Sequence, residues 1–174
     1  MSNNKEIEIK HLVKRVPKGL DRHQSADIRQ GYLIKEDEVV LRVRTAAWSS
    51  GEKTGFITVK GKGDKVRDEY EMEIPYLYAL VFLGKCSHVL EKIRYIIPSI
   101  QSTCNETGHT IELDIFQGSL KGLVLAEVEF ESEFQSLSCV PDWFGDDVTD
   151  RKDYSNVGLL YGGIPDDYSG TQYE

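Results

Sequence analysis

Polar and apolar residues alternate along most of the chain, beginning with EIEIK at residues 6–10. Successive side chains of an extended strand point to opposite faces of a sheet. This stretch therefore puts three charged side chains, Glu6, Glu8 and Lys10, on one face and two isoleucines on the other. The same period, with β-branched residues and intervening turn residues, predicts eight strands. They span residues 5–15, 28–36, 38–45, 54–61, 66–74, 92–97, 110–117 and 122–131.

Helical spacing of apolar residues is confined to a few segments. Residues 76–91 show it, and we predict a helix there. Two shorter helices are predicted in SEFQSLSC and in DRKDYSNVGLLY, the second with Asp150 as its N-cap. Consecutive strands with tight connections predict an α+β fold in which an antiparallel sheet curls into a barrel. We expect one domain over residues 1–161 and a flexible tail over residues 162–174.

The composition narrows the class of protein. The 174 residues include 29 acidic and 21 basic ones, a net charge of −8 that argues against general nucleic-acid binding. No apolar run is long enough to span a bilayer, so we expect no membrane partner and a cytoplasmic location. The three cysteines and four histidines are scattered, and their spacing matches neither a disulfide framework nor a zinc site.

The polar face of nearly every predicted strand is charged, and the sign of the charge changes from strand to strand. Glu6 and Glu8 lie in the first strand and Glu127, Glu129 and Glu131 in the last, and Arg42, Arg44 and Arg94 belong to strands between them. A half-buried sheet with solvated charges is one explanation. The other is a closed sheet whose charged residues line a lumen. Such a lumen suits a polyphosphate held by Arg and Lys, with Mg²⁺ or Mn²⁺ held by carboxylates.

The ordered motifs resemble those of the CYTH superfamily, the triphosphate tunnel metalloenzymes. EIEIK matches the E-x-E-x-K signature, and LRVR, TVKGK, RDEYEMEI, EKIRY, IELDIF, AEVEF and WFGDDVTDRKDYSN follow in the family's order. The resemblance covers about residues 5–161, and RQGYL and WFG.DVT are most similar to the bacterial branch that includes inorganic tripolyphosphatases. It implies an eight-stranded antiparallel barrel forming a tunnel, with flanking helices, and hydrolysis of a triphosphate with Mg²⁺ or Mn²⁺.

The resemblance also implies a role for each matched residue. The metal ligands would be Glu6, Glu8, Glu127, Glu129 and Asp114, with Glu69 and Glu71 for a second ion or the attacking water. The phosphate-binding residues would be Lys10, Arg42, Arg44, Lys60, Arg94 and Lys152. The catalytic residues would be Lys92, which helps to activate water, and Tyr32, which assists it. Around Lys152 the sequence RKDY departs from the family pattern of an acid, two bases and an aromatic residue.

The sequence is also compatible with four other functions. A class IV adenylate cyclase would share the tunnel and convert ATP to cyclic AMP. A thiamine triphosphatase would need an aromatic clamp, for which Trp48 is a candidate. A polyphosphate-binding module would lack turnover, and a purely structural sheet would bind no phosphate. The expected partner is a small-molecule triphosphate such as tripolyphosphate, ATP or thiamine triphosphate, and a homodimer is left open.

Overall fold

The computed structural model describes residues 7–36, 39–60, 69–98, 109–130 and 140–173, without the side chains of Ile7 and Glu69. These residues form nine strands and two α-helices. In chain order they are β1 (Ile7–Val13), β2 (Gln24–Lys35), β3 (Val40–Trp48), β4 (Lys53–Lys60), β5 (Glu69–Ile74), α1 (Tyr76–Leu83), β6 (Val89–Pro98), β7 (Thr110–Phe116), β8 (Val124–Phe130), β9 (Phe144–Asp147) and α2 (Asn156–Gly162). No helix in the described part of the chain is long and apolar enough to cross a bilayer.

The chain divides into two compact units, each built on antiparallel strands. The first contains Ala26–Lys92, and its strand order is β5-β4-β3-β2. The second contains Glu6–Ser25 and Ile93–Glu174, and its order is β6-β7-β8-β1-β9. Strand β6 begins in the first unit and ends in the second. The predicted α+β class and antiparallel pairing are confirmed, with nine strands in the described residues rather than eight.

In the first unit, α1 packs against β3 and β4. Val43, Ala79 and Leu83 form the buried centre of this contact. Gly55 allows the close approach, because a Cβ atom at this position would lie 2.7 Å from the Cβ of Ala79. The apolar face of the sheet therefore turns toward the helix, and the alternation of the strands sends their charged residues to the other face.

In the second unit, one face of the sheet forms a continuous apolar core. Its members come from β1, β7, β8 and β9 and are Val13, Ile111, Leu113, Val124, Ala126, Val128, Phe130 and Phe144. The residues between them in β1, β7 and β8 point away from this core. Those residues include five of the predicted site residues: Glu8, Lys10, Asp114, Glu127 and Glu129.

The predicted helix over residues 76–91 is wrong in its second half. Helix α1 ends at Leu83, and β6 begins at Val89. The apolar residues Val89 and Leu90 belong to this strand, and Leu90 is fully buried there. Short apolar runs do not distinguish a strand from a helix, and the β-branched Val89 favours the strand.

Two further corrections concern the last third of the chain. Asp150 is not the N-cap of a helix over residues 150–161. A 3₁₀ turn spans Lys152–Tyr154, and α2 starts only after Ser155, whose Oγ accepts a hydrogen bond from the backbone N–H of Gly158 at 3.0 Å. Strand β9 was not predicted, because its sequence FGDD has low β propensity. The helix predicted in SEFQSLSC lies outside the described residues.

Residues 168–172 make hydrogen bonds within the second unit. The Tyr168 hydroxyl donates to Gly122 O at 2.8 Å, and the Thr171 hydroxyl donates to Val13 O at 2.6 Å. The backbone of Gln172 bonds both Lys14 and Val16. These bonds attach the end of the chain near the start of β8 and the end of β1. The single domain over residues 1–161 and the flexibility of residues 162–174 stay predictions.

Candidate functional site

Six charged side chains in the second unit are linked by ion pairs, and we call them the mixed-charge cluster. They are Glu8, Lys10, Arg94, Glu112, Asp114 and Glu127. Strand alternation places them on the face opposite the apolar core. Among the described contacts, two cations meet four carboxylates in this cluster.

Arg94 is the centre of this cluster. Its guanidinium donates to both oxygens of Asp114, from Nε and Nη2, each at 2.7 Å. Nη2 also donates to Glu127 at 2.7 Å, and Nη1 contacts Glu112. Burial would lower the pKa of Arg94, but these carboxylates, Asp114 above all, outweigh it and raise the pKa. Arg94 is therefore a fixed positive charge in a planar, preorganised geometry.

Lys10 is held between two carboxylates. Its Nζ lies 2.9 Å from Glu127 Oε1 and 3.4 Å from Glu8 Oε1, and the residue is only 7% exposed. Burial would lower the pKa of Lys10, but the charges of Glu127 and Glu8 outweigh it and raise the pKa above its ordinary value of 10.5. Lys10 therefore stays an ammonium cation at neutral pH and cannot serve as a general base there.

The backbone of Lys10 is clamped by the turn that follows β9. The N–H of Lys10 donates to Thr149 Oγ1 at 3.0 Å, and its carbonyl accepts from the Val148 N–H at 2.8 Å. The Thr149 hydroxyl in turn donates to Asp147 Oδ1 at 2.5 Å. Burial would raise the pKa of Asp147, but the bonds from Thr149 and the charge of His11 lower it overall. The DVT stretch thus fixes the position of Lys10.

Two carboxylates face each other next to Lys10. Glu8 of β1 and Glu129 of β8 are direct partners in the antiparallel register. Opposed residues of such a ladder have Cβ atoms about 5 Å apart, and like charges there are destabilising unless a cation intervenes. Within the described ranges, no three acidic, histidine or cysteine side chains converge as a metal site. Glu6, the third carboxylate of EIEIK, lies outside the described residues.

A second group lies in the first unit, and we call it the arginine cluster: Arg42, Arg44, Thr58 and Glu71. Glu71 accepts from Arg42 at 3.2 Å and from Arg44 at 3.2 and 3.3 Å. The fully buried Thr58 accepts from Arg42 at 3.0 Å and donates to Glu71 at 2.9 Å. Two guanidinium groups thus share one carboxylate.

The predicted catalytic pair is also in the first unit. Lys92 is 3% exposed and Tyr32 is 8% exposed. Tyr32 is the register partner of Arg42 in the β2–β3 ladder, which places the phenol on the same face as the arginine cluster. Trp48 packs against Ala26, Ile28 and Ala46 on this face and is only half-buried.

Neither cluster includes three of the predicted site residues, Lys152, Lys60 and Glu69. Lys152 lies in the 3₁₀ turn before α2, and its side chain is exposed. Lys60 is the last residue of β4 and the register partner of Glu69, which begins β5. The structure therefore brings together Glu8, Lys10, Arg94, Asp114 and Glu127 in the second unit, and Arg42, Arg44 and Glu71 in the first.

Sequence reasoning missed four residues that complete these groups. Thr58 and Glu112 could have been found by strand parity, because each lies two residues from a predicted site residue on the same face: Lys60 and Asp114. Asp147 and Thr149 belong to a motif already recognised, DVT, but the contact between Thr149 and Lys10 spans 139 residues in the sequence. No local pattern could have predicted it.

Comparison with known proteins identifies the family. The chain is 36% identical over 157 residues to an inorganic triphosphatase of Nitrosomonas europaea, covering 88% of this chain and 95% of that protein. The chain belongs to the inorganic triphosphatase family. A second inorganic triphosphatase, from Acetivibrio thermocellus, is 33% identical over 90% of this chain and 93% of its own length. No family model matches the chain.

A solved structure agrees with this membership. The crystal structure of the inorganic triphosphatase NE1496 superimposes with a TM-score of 0.65 and 34% identity, covering 89% of this chain and 93% of that one. The resemblance to triphosphate tunnel enzymes drawn from the sequence motifs is thereby confirmed, as are the enzyme class and the fold class.

Proposed function

We propose that this protein hydrolyses inorganic tripolyphosphate to pyrophosphate and phosphate with the help of Mg²⁺ or Mn²⁺. The observation that carries the proposal is its membership of the inorganic triphosphatase family over 88–90% of its length. Each cluster supports it chemically: the arginine cluster contains two guanidinium groups, and the mixed-charge cluster contains four carboxylates. Phosphoryl transfer depends mainly on positioning and charge stabilisation, for which such groups are suited.

The arginine cluster is proposed to bind phosphate oxygens. Arg42 and Arg44 have a fixed charge and a planar fork of donors that matches a phosphate group. Glu71 and Thr58 hold the two side chains before substrate binds, so little conformational entropy is lost on binding. Lys60 and Lys152 are proposed to add positive charge, and Arg94 and Lys10 to act from the mixed-charge cluster.

The carboxylates are proposed to hold the metal ion. Mg²⁺ and Mn²⁺ prefer oxygen ligands, and Mg²⁺ usually binds one or two carboxylates together with substrate phosphates. The opposed pair of Glu8 and Glu129 fits this pattern, with Glu6 as a third donor from the same motif. Glu127 and Asp114 bond Lys10 and Arg94, and in this proposal they orient those cations as well as adding negative charge. The ion supplies charge neutralisation at the phosphate oxygens.

Lys92 is proposed to act on the attacking water. As a base it would have to be neutral, accept one water proton while the oxygen bonds to the terminal phosphorus, and later release that proton to solvent. The burial of Lys92, which is 3% exposed, supports a role inside the protein rather than at its surface. Pyrophosphate leaves as the phosphoanhydride bond breaks.

The proposal is tested by assaying phosphate release from tripolyphosphate, ATP and thiamine triphosphate, each with Mg²⁺, with Mn²⁺ and with a chelator. We expect metal-dependent release from tripolyphosphate that exceeds release from the other two. Formation of cyclic AMP and pyrophosphate from ATP would instead identify a cyclase. Preference for thiamine triphosphate would identify a thiamine triphosphatase. Binding of tripolyphosphate without turnover would identify a binding module.

A further inference from the structure

The side-chain amide nitrogen of Gln30 is a buried donor with no hydrogen-bond partner in the part of the chain that the structure describes. Gln30 is only 2% exposed, and its Nε2 has no hydrogen-bond partner among the described residues. An unsatisfied buried polar group costs about 1–3 kcal/mol, so native proteins keep very few of them. A group of this kind in the middle of a strand calls for an explanation.

The register of the sheet places Gln30 beside the arginine cluster. Gln30 of β2 is the direct partner of Arg44 in β3, and Tyr32, two residues further on, is the partner of Arg42. Residues two apart in a strand share one face, and opposed residues have Cβ atoms about 5 Å apart. The amide therefore lies on the same face as both arginines and within reach of whatever they bind.

The chemistry of these neighbours defines the ligand. An amide N–H₂ group can only donate, so it needs an acceptor. Two guanidinium groups repel cations and are suited to an anion with several acceptor oxygens. We propose that Gln30 is a substrate-binding residue whose Nε2 donates to a phosphate oxygen of the triphosphate, next to Arg44. This inference rests on the proposed function and adds a residue to its substrate site.

The proposal makes an unusual prediction about stability. Gln30→Met removes the donor with little change in volume. Without ligand, the variant should be at least as stable as the wild type, because the unpaired amide is lost. Its affinity for the imido analogue of tripolyphosphate, in which NH replaces the bridging oxygens, should fall roughly ten- to hundredfold, the value of one hydrogen bond to a charged group.

The matched control is Gln117→Met. Gln117 Nε2 donates to Ile115 O at 3.3 Å, so its amide has a partner. This control should lose stability and keep its affinity for the analogue. The second variant is Gln30→Glu, which keeps the size of the side chain and replaces its N–H₂ donor by an anionic acceptor. This variant should bind the analogue more weakly than Gln30→Met.

The measurements are melting temperature without ligand and calorimetric affinity for the analogue. If Gln30→Met or Gln30→Glu binds the analogue with the affinity of the wild type, the role of Gln30 is overturned. The proposed function would still stand in that case. Failure of the wild type to bind the analogue would overturn the proposed function itself. If Gln30→Met does not fold, the ¹⁵N-labelled side-chain amide of Gln30 in the wild type decides. Its resonances should shift when the analogue is added, and unshifted resonances would contradict the proposal.

Discussion

At the scale of single residues, the fork geometry of Arg42 is as important as its charge. Its planar guanidinium contacts both Thr58 and Glu71 in a fixed fork geometry, which the point charge of a lysine ammonium on its flexible stem does not reproduce. We expect Arg42→Lys to raise the KM for tripolyphosphate about ten- to hundredfold, the loss of one or two charge-assisted hydrogen bonds.

The control for this substitution is Arg29→Lys. Arg29 makes an ion pair with Glu91 at 2.9 Å, and both side chains are close to half-exposed. Exposed ion pairs contribute little, so this variant should keep the wild-type KM. An unchanged KM in Arg42→Lys would show that only the charge is needed.

Lys92 is the residue whose removal should separate turnover from binding. If it acts on the attacking water, Lys92→Met should lower kcat on the order of 10²- to 10⁴-fold, the usual contribution of a general acid or base. The affinity for the imido analogue should change little. Steady-state kinetics and calorimetry check both parts. A loss of affinity equal to the loss of kcat/KM would make Lys92 a phosphate-binding residue instead.

The sequence predicted which residues belong to the candidate site better than it predicted which residues they contact. EIEIK and LRVR are local patterns, and strand parity placed Glu8 with Lys10 and Arg42 with Arg44 correctly on shared faces. The carboxylates that Arg94 binds come from two other strands, so the sequence gives their type but not their pairing. Gln30 was overlooked because an uncharged side chain in a charged pattern attracts no notice.

At the scale of elements, the turn after β9 should be required for the site although it contributes none of the predicted site residues. Thr149→Val removes the acceptor for the Lys10 N–H, and we expect it to lower the free energy of unfolding by about 1 kcal/mol. It should also lower kcat/KM, since Lys10 loses its fixed position. Thr149→Ser should restore both, and Thr110→Val, at an exposed strand position, is the control. Normal kinetics in Thr149→Val would remove the turn from the functional account.

The same turn should respond to acid. The pKa of Asp147 is lowered in the folded state, so its carboxylate stabilises the fold above its ordinary value of 3.8. This contribution is lost as the pH falls below 3.8 and through the folded-state pKa. Asp147→Asn keeps an acceptor for Thr149 but no titrating group. Chemical unfolding across this pH range should therefore show a shallower loss of stability in the variant, and parallel curves would contradict the assignment.

The alternation of polar and apolar residues predicted the ends of most strands to within a few residues. It did not predict elements that form only because of tertiary contacts. The four residues of β9 form a strand because β1 offers its edge. Val89 and Leu90 are apolar in either a helix or a strand, and only their pairing decides between the two.

At the scale of the whole molecule, a single domain predicts that the chain unfolds cooperatively. The chain has two compact units, and β6 contributes residues to both. A shared strand should make the units unfold together, so we expect one calorimetric transition whose calorimetric and van't Hoff enthalpies agree. Two resolved transitions would contradict the single domain. The oligomeric state stays a prediction that sedimentation velocity would measure.

The most direct test of the central claim is ³¹P NMR of tripolyphosphate incubated with the protein and Mg²⁺. We expect tripolyphosphate to disappear as pyrophosphate and phosphate appear in equal amounts. A folded double variant with Arg42→Met and Arg44→Met should hydrolyse it far more slowly. Intact tripolyphosphate after prolonged incubation of folded protein with either Mg²⁺ or Mn²⁺, or wild-type rates in the double variant, would contradict it.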